Sequence, residues 1–144
     1  GLIVLLSTKY AATLQITAGL DAITIIGIFV TAHTLSRFAA VMHVFNQSYV
    51  RIVESKASGA VEKGKLGNFL IASVCAIIPF AGLMFYTADF TVALILIPIF
   101  ILNYRMSRYF NKWIGGYTGD CLGTVQQLTE VTIYLSLILI WRFI

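Results

Sequence analysis

Charge is what this sequence is short of. Asp, Glu, Lys and Arg make up 11% of its 144 residues, where about 25% is usual in soluble domains, and AVILMFWYC residues make up 59%. With a mean hydropathy of +0.90, such a chain cannot cover its own surface in water, and disorder is excluded along with the soluble class. Cysteine is scarce as well. Cys75 and Cys121 form no Cys-x-x-Cys and stand in no Cys/His cluster, so neither a zinc site nor a disulfide scaffold is indicated. Two prolines and no Gly-x-y period exclude collagen. An initiator Met, a basic leader region and a small-residue cleavage site are missing where Gly1 runs straight into Leu2-Ile3-Val4-Leu5-Leu6. The expectation is therefore a chain that begins inside a longer polypeptide, not a signal peptide. The net charge of +4 gives no argument for a nucleic-acid partner.

What is present in quantity is hydrophobic length. A bilayer core needs ~20 mostly apolar residues in a helix. Leu66 to Ala88 runs without a formal charge, and Phe90 to Tyr104 reaches spanning length if Arg105 and Arg108 snorkel to the interface. From Cys121 to Trp141 the one charge is Glu130; residues 2–20 hold only Lys9, and 22–45 only Arg37. The reading is all-α: a polytopic integral membrane protein with about five transmembrane helices near 2–20, 22–45, 67–87, 90–108 and 120–141, forming a single helical domain over 1–144 in a lipid bilayer. Pro79 and Pro98 fall within the third and fourth spans. Each frees the carbonyl four residues earlier, at Cys75 and Leu94, and kinks are expected there.

Alternating spans put the N-terminus, loop 46–66 and loop 109–119 on one side. Arg51, Lys56, Lys63 and Lys65, with Arg105, Arg108 and Lys112, load that side, against Arg142 on the other. The positive-inside rule makes the basic side cytoplasmic.

Ionisable groups inside a membrane cost ~2.5–3.5 kcal/mol each on insertion scales, so they need partners and usually serve a function. Lys9, Arg37, Asp120 and Glu130 are of this kind. At ~1.5 Å per residue, Lys9 and Arg37 lie ~12 Å from the cytoplasmic ends of their helices, and Glu130 ~15 Å deeper than Asp120. A polar cavity open to the cytoplasm follows. At 100° per residue, Asp120, Gly123, Gln127, Glu130 and Tyr134 share one face of the last span, while His33 and Arg37 are an i, i+4 pair with Ser36 beside them. Mutual neutralisation of the four charges as structural pairs is the plainer alternative. His33 reads as a hydrogen-bonded helix residue and His43 as interfacial.

Gly115-Gly116-Tyr117-Thr118-Gly119-Asp120 offers a turn rich in backbone N–H groups, followed at once by a helix start. That combination suits a phosphate, although no Gly-Lys-Ser/Thr follows as in a Walker A loop. Asp120 is equally an ordinary N-cap. A carboxylate and a phosphate share such a site if Mg²⁺ bridges them. Arg37 and Lys9 could then take the remaining negative charge, Arg37 in a bidentate fork and Lys9 as a point charge.

The run Gly115-Gly116-Tyr117-Thr118-Gly119-Asp120-Cys121-Leu122-Gly123, followed by Gln127-Leu128 and Glu130, resembles the C-terminal signature of the cobalamin synthase family, the adenosylcobinamide-GDP ribazoletransferases. Lys9-Tyr10-Ala11-Ala12, Ser36-Arg37 and Tyr49-Val50-Arg51 agree with it, so the likeness extends over essentially the whole chain. It implies a Mg²⁺-assisted phosphoryl transfer at the inner membrane of a prokaryote. A hydroxyl of α-ribazole, or of its 5′-phosphate, attacks the pyrophosphate phosphorus attached to adenosylcobinamide, and GMP leaves. The resemblance implies Asp120, Arg37 and Lys9 as catalytic residues, with Asp120 also a metal ligand. It implies Ser36, Gly115, Gly116, Thr118, Gly119, Gly123, Gln127 and Glu130 as substrate-binding. The family's upstream Asp-Gly-Leu-Ala-Asp type motif for the metal is absent, since Asp21 and Asp89 are isolated and fall on the opposite side. The chain is therefore expected to be a C-terminal portion, inactive alone and compatible with a homo-oligomer. A transporter or permease fragment with a buried polar site, and a non-catalytic membrane subunit, are the rival readings.

Overall fold

A computed structural model describes residues 1–50 and 66–143. Among these described residues five α-helices follow one another: α1 (Leu2–Thr17), α2 (Ala22–Asn46), α3 (Leu66–Thr87), α4 (Leu96–Trp113) and α5 (Gly119–Phe143). A 3₁₀ segment, Phe90–Ile95, leads into α4.

Local chemistry sets the helix ends. Asp21 caps α2, its carboxylate accepting from the backbone N–H groups of Ile23 and Thr24. Asp89 caps the 3₁₀ segment in the same way, through the Thr91 N–H. The two isolated aspartates are thus structural caps at one end of the bundle. Tyr86 donates to Asp21 Oδ2 at 3.3 Å and Trp141 Nε1 to Asp89 Oδ2 at 3.2 Å, which ties that end together. At the other end Phe45 meets Phe69, ring centroids 5.0 Å apart, and a β-bridge joins Tyr49 to Tyr117. Consecutive long helices therefore alternate in direction, as the span pattern predicts.

Among the described residues, four helical stretches are long and apolar enough to cross a bilayer: Ala22–Asn46, Leu66–Thr87, Phe90–Trp113 and Gly119–Arg142. The expected first span, 2–20, is shorter than read from sequence. α1 stops at Thr17, and its 16 residues rise only ~24 Å, less than the ~30 Å hydrocarbon core. The fourth span differs too. It opens as 3₁₀ helix and runs on to Trp113, which puts Lys112 in the last turn of α4 and not in a loop. Pro98 is the third residue of α4, in a first turn whose N–H groups have no intrahelical partner, so it marks the change of helix type instead of kinking a continuous α-helix. Pro79 sits inside an unbroken α3.

α2 and α5 form the centre. Their spans are 39% and 44% buried, against 11% and 17% for α3 and the α4 stretch, so the last two show most of their surface to lipid. The core joins Ile28, Ala32 and Leu35 of α2 to Ile133, Tyr134 and Leu137 of α5, with Ala12 and Ile16 of α1, Ala76 and Leu83 of α3, and Val92 and Ile95. Outer positions such as Ile71, Ile78, Phe85 and Phe100 stay exposed, which in a bilayer places them against acyl chains. Arg51, Lys56, Lys63 and Lys65, which carry much of the charge asymmetry, lie outside the described residues.

Candidate active site

The polar stripe of α5 faces α1 and α2, and Glu130 is its hub. Its carboxylate is 7% exposed and is reached from two other helices. Lys9 of α1 forms a short charge-assisted bond to Glu130 Oε2 and donates to Gln127 Oε1 at 3.1 Å. Ser36 of α2, fully buried, places Oγ 3.2 Å from Glu130 Oε1 and 2.9 Å from the His33 carbonyl, two acceptors for one proton. His33 Nδ1 lies 3.3 Å from Glu130 Oε1.

Arg37 settles the imidazole's proton. Its Nε donates to His33 Nε2 at 2.8 Å, so Nε2 is the acceptor and Nδ1 carries the hydrogen that faces Glu130. The sequence places His33 and Arg37 four residues apart on one helix face; the structure extends that pair into a chain running Arg37, His33, Glu130, Lys9, Gln127. Two cations against one carboxylate leave the cluster net positive, as an anion site requires.

Two cavities flank this chain. One, of about 800 Å³, has α1 on one wall and Asp120, Gly123 and Gln127 of α5 on the other. The second, of about 490 Å³, lies deeper and is bordered by Lys9, His33, Glu130 and Tyr134. The predicted stripe of α5 is thus divided between them: Asp120 to Gln127 above, Glu130 to Tyr134 below.

The glycine segment is a tight turn. The amides of Ile114 and Gly115 both return to the Phe110 carbonyl, at 2.8 and 3.1 Å, and Gly115 takes φ +77°. Gly116 passes so close to the chain after α2 that a Cβ would sit 2.1 Å from the Ser48 carbonyl oxygen. Tyr117 N–H donates to that carbonyl at 3.1 Å, and Val50 N–H returns to the Tyr117 carbonyl at 3.2 Å. Burial raises the Tyr117 phenol above its ordinary value, and the neighbouring Tyr49 adds to the shift. Thr118 starts α5: its Oγ accepts from Cys121 N–H at 3.4 Å and its carbonyl from Leu122 N–H at 3.2 Å. Four amides of the segment and the helix start that follows it, those of Gly115, Tyr117, Cys121 and Leu122, therefore have protein partners already. Gly119 and Asp120 form the exposed first turn of α5 on the wall of the larger cavity.

No group of three or more His, Cys, Asp or Glu residues able to hold a metal occurs among the described residues. The donors that are present fit Mg²⁺ only as an ion brought with phosphate. One carboxylate, Asp120, lines the larger cavity, and Glu130 is engaged by Lys9.

Sequence reasoning missed a buried polar network between α2 and α4. His43, read as interfacial, is only 3% exposed. It faces Asn103 Oδ1 at 3.2 Å, while Gln47 donates to Ser107 Oγ at 2.7 Å. The signal was available in matching spacings: 43 near the end of one helix and 47 at its C-cap, 103 and 107 on the other helix.

A family model described as cobalamin-5-phosphate synthase matches residues 1–138. The chain is 36% identical over 109 residues to the adenosylcobinamide-GDP ribazoletransferase of Ralstonia pickettii, covering 76% of this chain and 41% of that protein. It is 36% identical over 121 residues to the protein of that name from Shewanella amazonensis, covering 80% and 44%. With the Shewanella frigidimarina protein of the same name, identity is 28% over 138 residues, covering 96% and 51%. The chain spans about half the length, or less, of these curated relatives. No solved structure matches it.

Proposed function

The chain belongs to the cobalamin-5-phosphate synthase family, and we propose on that premise that it carries the membrane half-site of an adenosylcobinamide-GDP ribazoletransferase. In this reaction a hydroxyl of α-ribazole, or of its 5′-phosphate, attacks the phosphorus that bears adenosylcobinamide. The new P–O bond forms as the bond to GMP breaks, and the hydroxyl proton is lost to base.

The observation that supports this best is the net-positive chain Arg37, His33, Glu130, Lys9 and Gln127, which borders the 800 Å³ cavity through Gln127 and the 490 Å³ cavity through Lys9, His33 and Glu130. A diphosphate diester concentrates negative charge, and catalysis of its cleavage depends on charge neutralisation and in-line positioning. Arg37, exposed at the guanidinium, is the residue to clamp phosphate oxygens in a fork. Lys9 holds Gln127 and Glu130 in the orientation that positions substrate, while Ser36 and His33 fix Glu130 from the other side. Gly115, Gly116 and Thr118 shape the turn that presents the Gly119–Asp120 helix start to the phosphates, and Gly123 leaves the cavity wall open. Asp120 would hold Mg²⁺ together with phosphate oxygens, and the ion would supply charge neutralisation. Mg²⁺, the corrinoid and ribazole substrates, the inner-membrane location and the cytoplasmic orientation of this end belong to the proposal. The name shared by the relatives weighs against the permease alternative.

The test is GMP release by the full-length enzyme reconstituted in liposomes, with adenosylcobinamide-GDP and α-ribazole supplied. Arg37→Lys and Asp120→Asn should each lower the transfer rate by roughly 10²–10³-fold, the scale of losing one preorganised electrostatic contact. Near-native rates in both variants would remove these residues from the site.

A further inference from the structure

The deeper cavity is chemically unlike the upper one. Lys9, Thr13, His33, Thr34 and Glu130 supply its polar groups; Phe29, Val30 and Tyr134 supply its apolar surface. Phe29 and Tyr134 meet edge to face, centroids 5.8 Å apart at 82°, which gives a preformed aromatic wall. Its volume of about 490 Å³ falls within the ~300–1,000 Å³ of small-molecule sites. Lys9 marks the boundary between the chambers: its ammonium binds Gln127, on the wall of the larger one, and Glu130, on the wall of the smaller.

We propose that this cavity receives the base of the acceptor nucleoside, a flat, bicyclic and largely apolar benzimidazole, and that Phe29 and Tyr134 determine which base is accepted. The proposal rests on the ribazoletransferase reading and adds the place and the selecting residues. Three physical points carry it. A corrin ring with its peripheral amides is too large for the space. A guanine needs hydrogen-bond partners along its whole edge, whereas Phe29, Val30 and the Tyr134 ring offer only ring faces and aliphatic surface, the polar groups of His33 and Thr34 lying to one side of them. A benzimidazole riboside instead matches both sides, its base on Phe29 and Tyr134 and its ribose hydroxyls toward Lys9, Glu130 and the chamber above. Aromatic walls with few polar contacts discriminate on shape and stacking, so selectivity among bases would reside there.

The full-length enzyme in liposomes provides the test, with the KM of each substrate measured at saturation of the other. Phe29→Ala should raise the KM for α-ribazole about tenfold, the scale of one aromatic contact. The same variant should narrow the preference for α-ribazole over an adenine riboside and leave the KM for adenosylcobinamide-GDP within about twofold. Val30→Trp fills the cavity from a residue that is 45% exposed, so it spares the core and should act in the same direction. An unchanged α-ribazole KM and base preference in both variants, with turnover intact, would overturn the assignment and leave the transferase reading standing. Equal rises in both KM values would overturn it as well. A wild-type enzyme that neither binds α-ribazole nor releases GMP would sink the reading and this inference together.

Discussion

Removing the Lys9 ammonium should destabilise the bundle far more than deleting a surface charge. Glu130 is 7% exposed and Lys9 28%, so Lys9→Met leaves a desolvated carboxylate with Ser36 and His33 as its remaining partners. Opposite charges ~4 Å apart attract by roughly 4 kcal/mol at an effective dielectric of ~20. Breaking a buried pair from one side costs ~3–5 kcal/mol, and the partial exposure of Lys9 puts the expected loss near the lower limit. Lys9→Met with Glu130→Gln exchanges the stranded charge for a neutral amide that Ser36 and His33 can still contact. That double variant should recover at least half of the single variant's loss. The measurement is reversible unfolding in mixed micelles of denaturing and mild detergent, followed by tryptophan fluorescence. A loss below ~1 kcal/mol in Lys9→Met, or no recovery in the double variant, would refute a desolvated ion pair at the centre of the site.

The glycine segment gives predictions of opposite sign at neighbouring positions. Gly116→Ala drives a Cβ to 2.1 Å from a backbone oxygen and should cost ~1–3 kcal/mol with loss of the Tyr49–Tyr117 bridge. Gly123→Ala, in the α5 interior with nothing within 4 Å of the added carbon, should stabilise by up to ~1 kcal/mol in the same detergent assay. At the opposite end, the Thr24 hydroxyl bond to Asp21, followed by the Thr24 backbone N–H, holds that carboxyl below its ordinary 3.8. A depressed folded-state value contributes stability that is present above pH 3.8 and lost as pH falls through the folded value. Thermal unfolding between pH 6 and pH 3 should therefore show an acid limb that Asp21→Asn reduces; an unchanged limb would assign it to other groups.

Depth was legible in the sequence and direction was not. Counting residues from the helix ends put Lys9, Arg37 and Glu130 at similar levels, and the 100° rule put Gln127 and Glu130 on one face; Lys9 and Glu130 do meet. The Arg37–His33 contact lies within α2 and was legible as an i, i+4 pair, whereas the meeting of His33 with Glu130 depends on how α2 is rotated, which the packing of Ile28, Ala32 and Leu35 into the core sets. His43 shows the same limit. A polar residue near the end of a span reads as interfacial unless the facing helix supplies Asn103 at the matching height, and that register is a tertiary property. The end of α1 was overestimated because Ala18 and Leu20 are apolar, although Ala18 already has an extended ψ of 98°. The turn at 115–119 was visible as glycine. What the glycine admits, the Ser48 carbonyl, comes from a segment nearly seventy positions earlier.

The two cations are not equivalent. Lys9 is bound to a carboxylate inside the bundle, and drawing it away would strand Glu130 at the cost estimated above. Arg37 is bound to a neutral imidazole at the surface, and such a charge-assisted bond contributes only ~1.5–3 kcal/mol. On the proposed reading, a phosphate that accepts a bidentate fork would replace that bond with two stronger ones, so Arg37 would turn to an arriving diphosphate without loss. When it does, His33 Nε2 loses its donor while Nδ1 stays directed at Glu130, and the carboxylate remains fixed between Ser36 and Lys9. In the proposed reaction the Lys9–Glu130 half of the cluster would hold its geometry while Arg37 takes up the ligand, the division of labour that preorganised electrostatic catalysis requires.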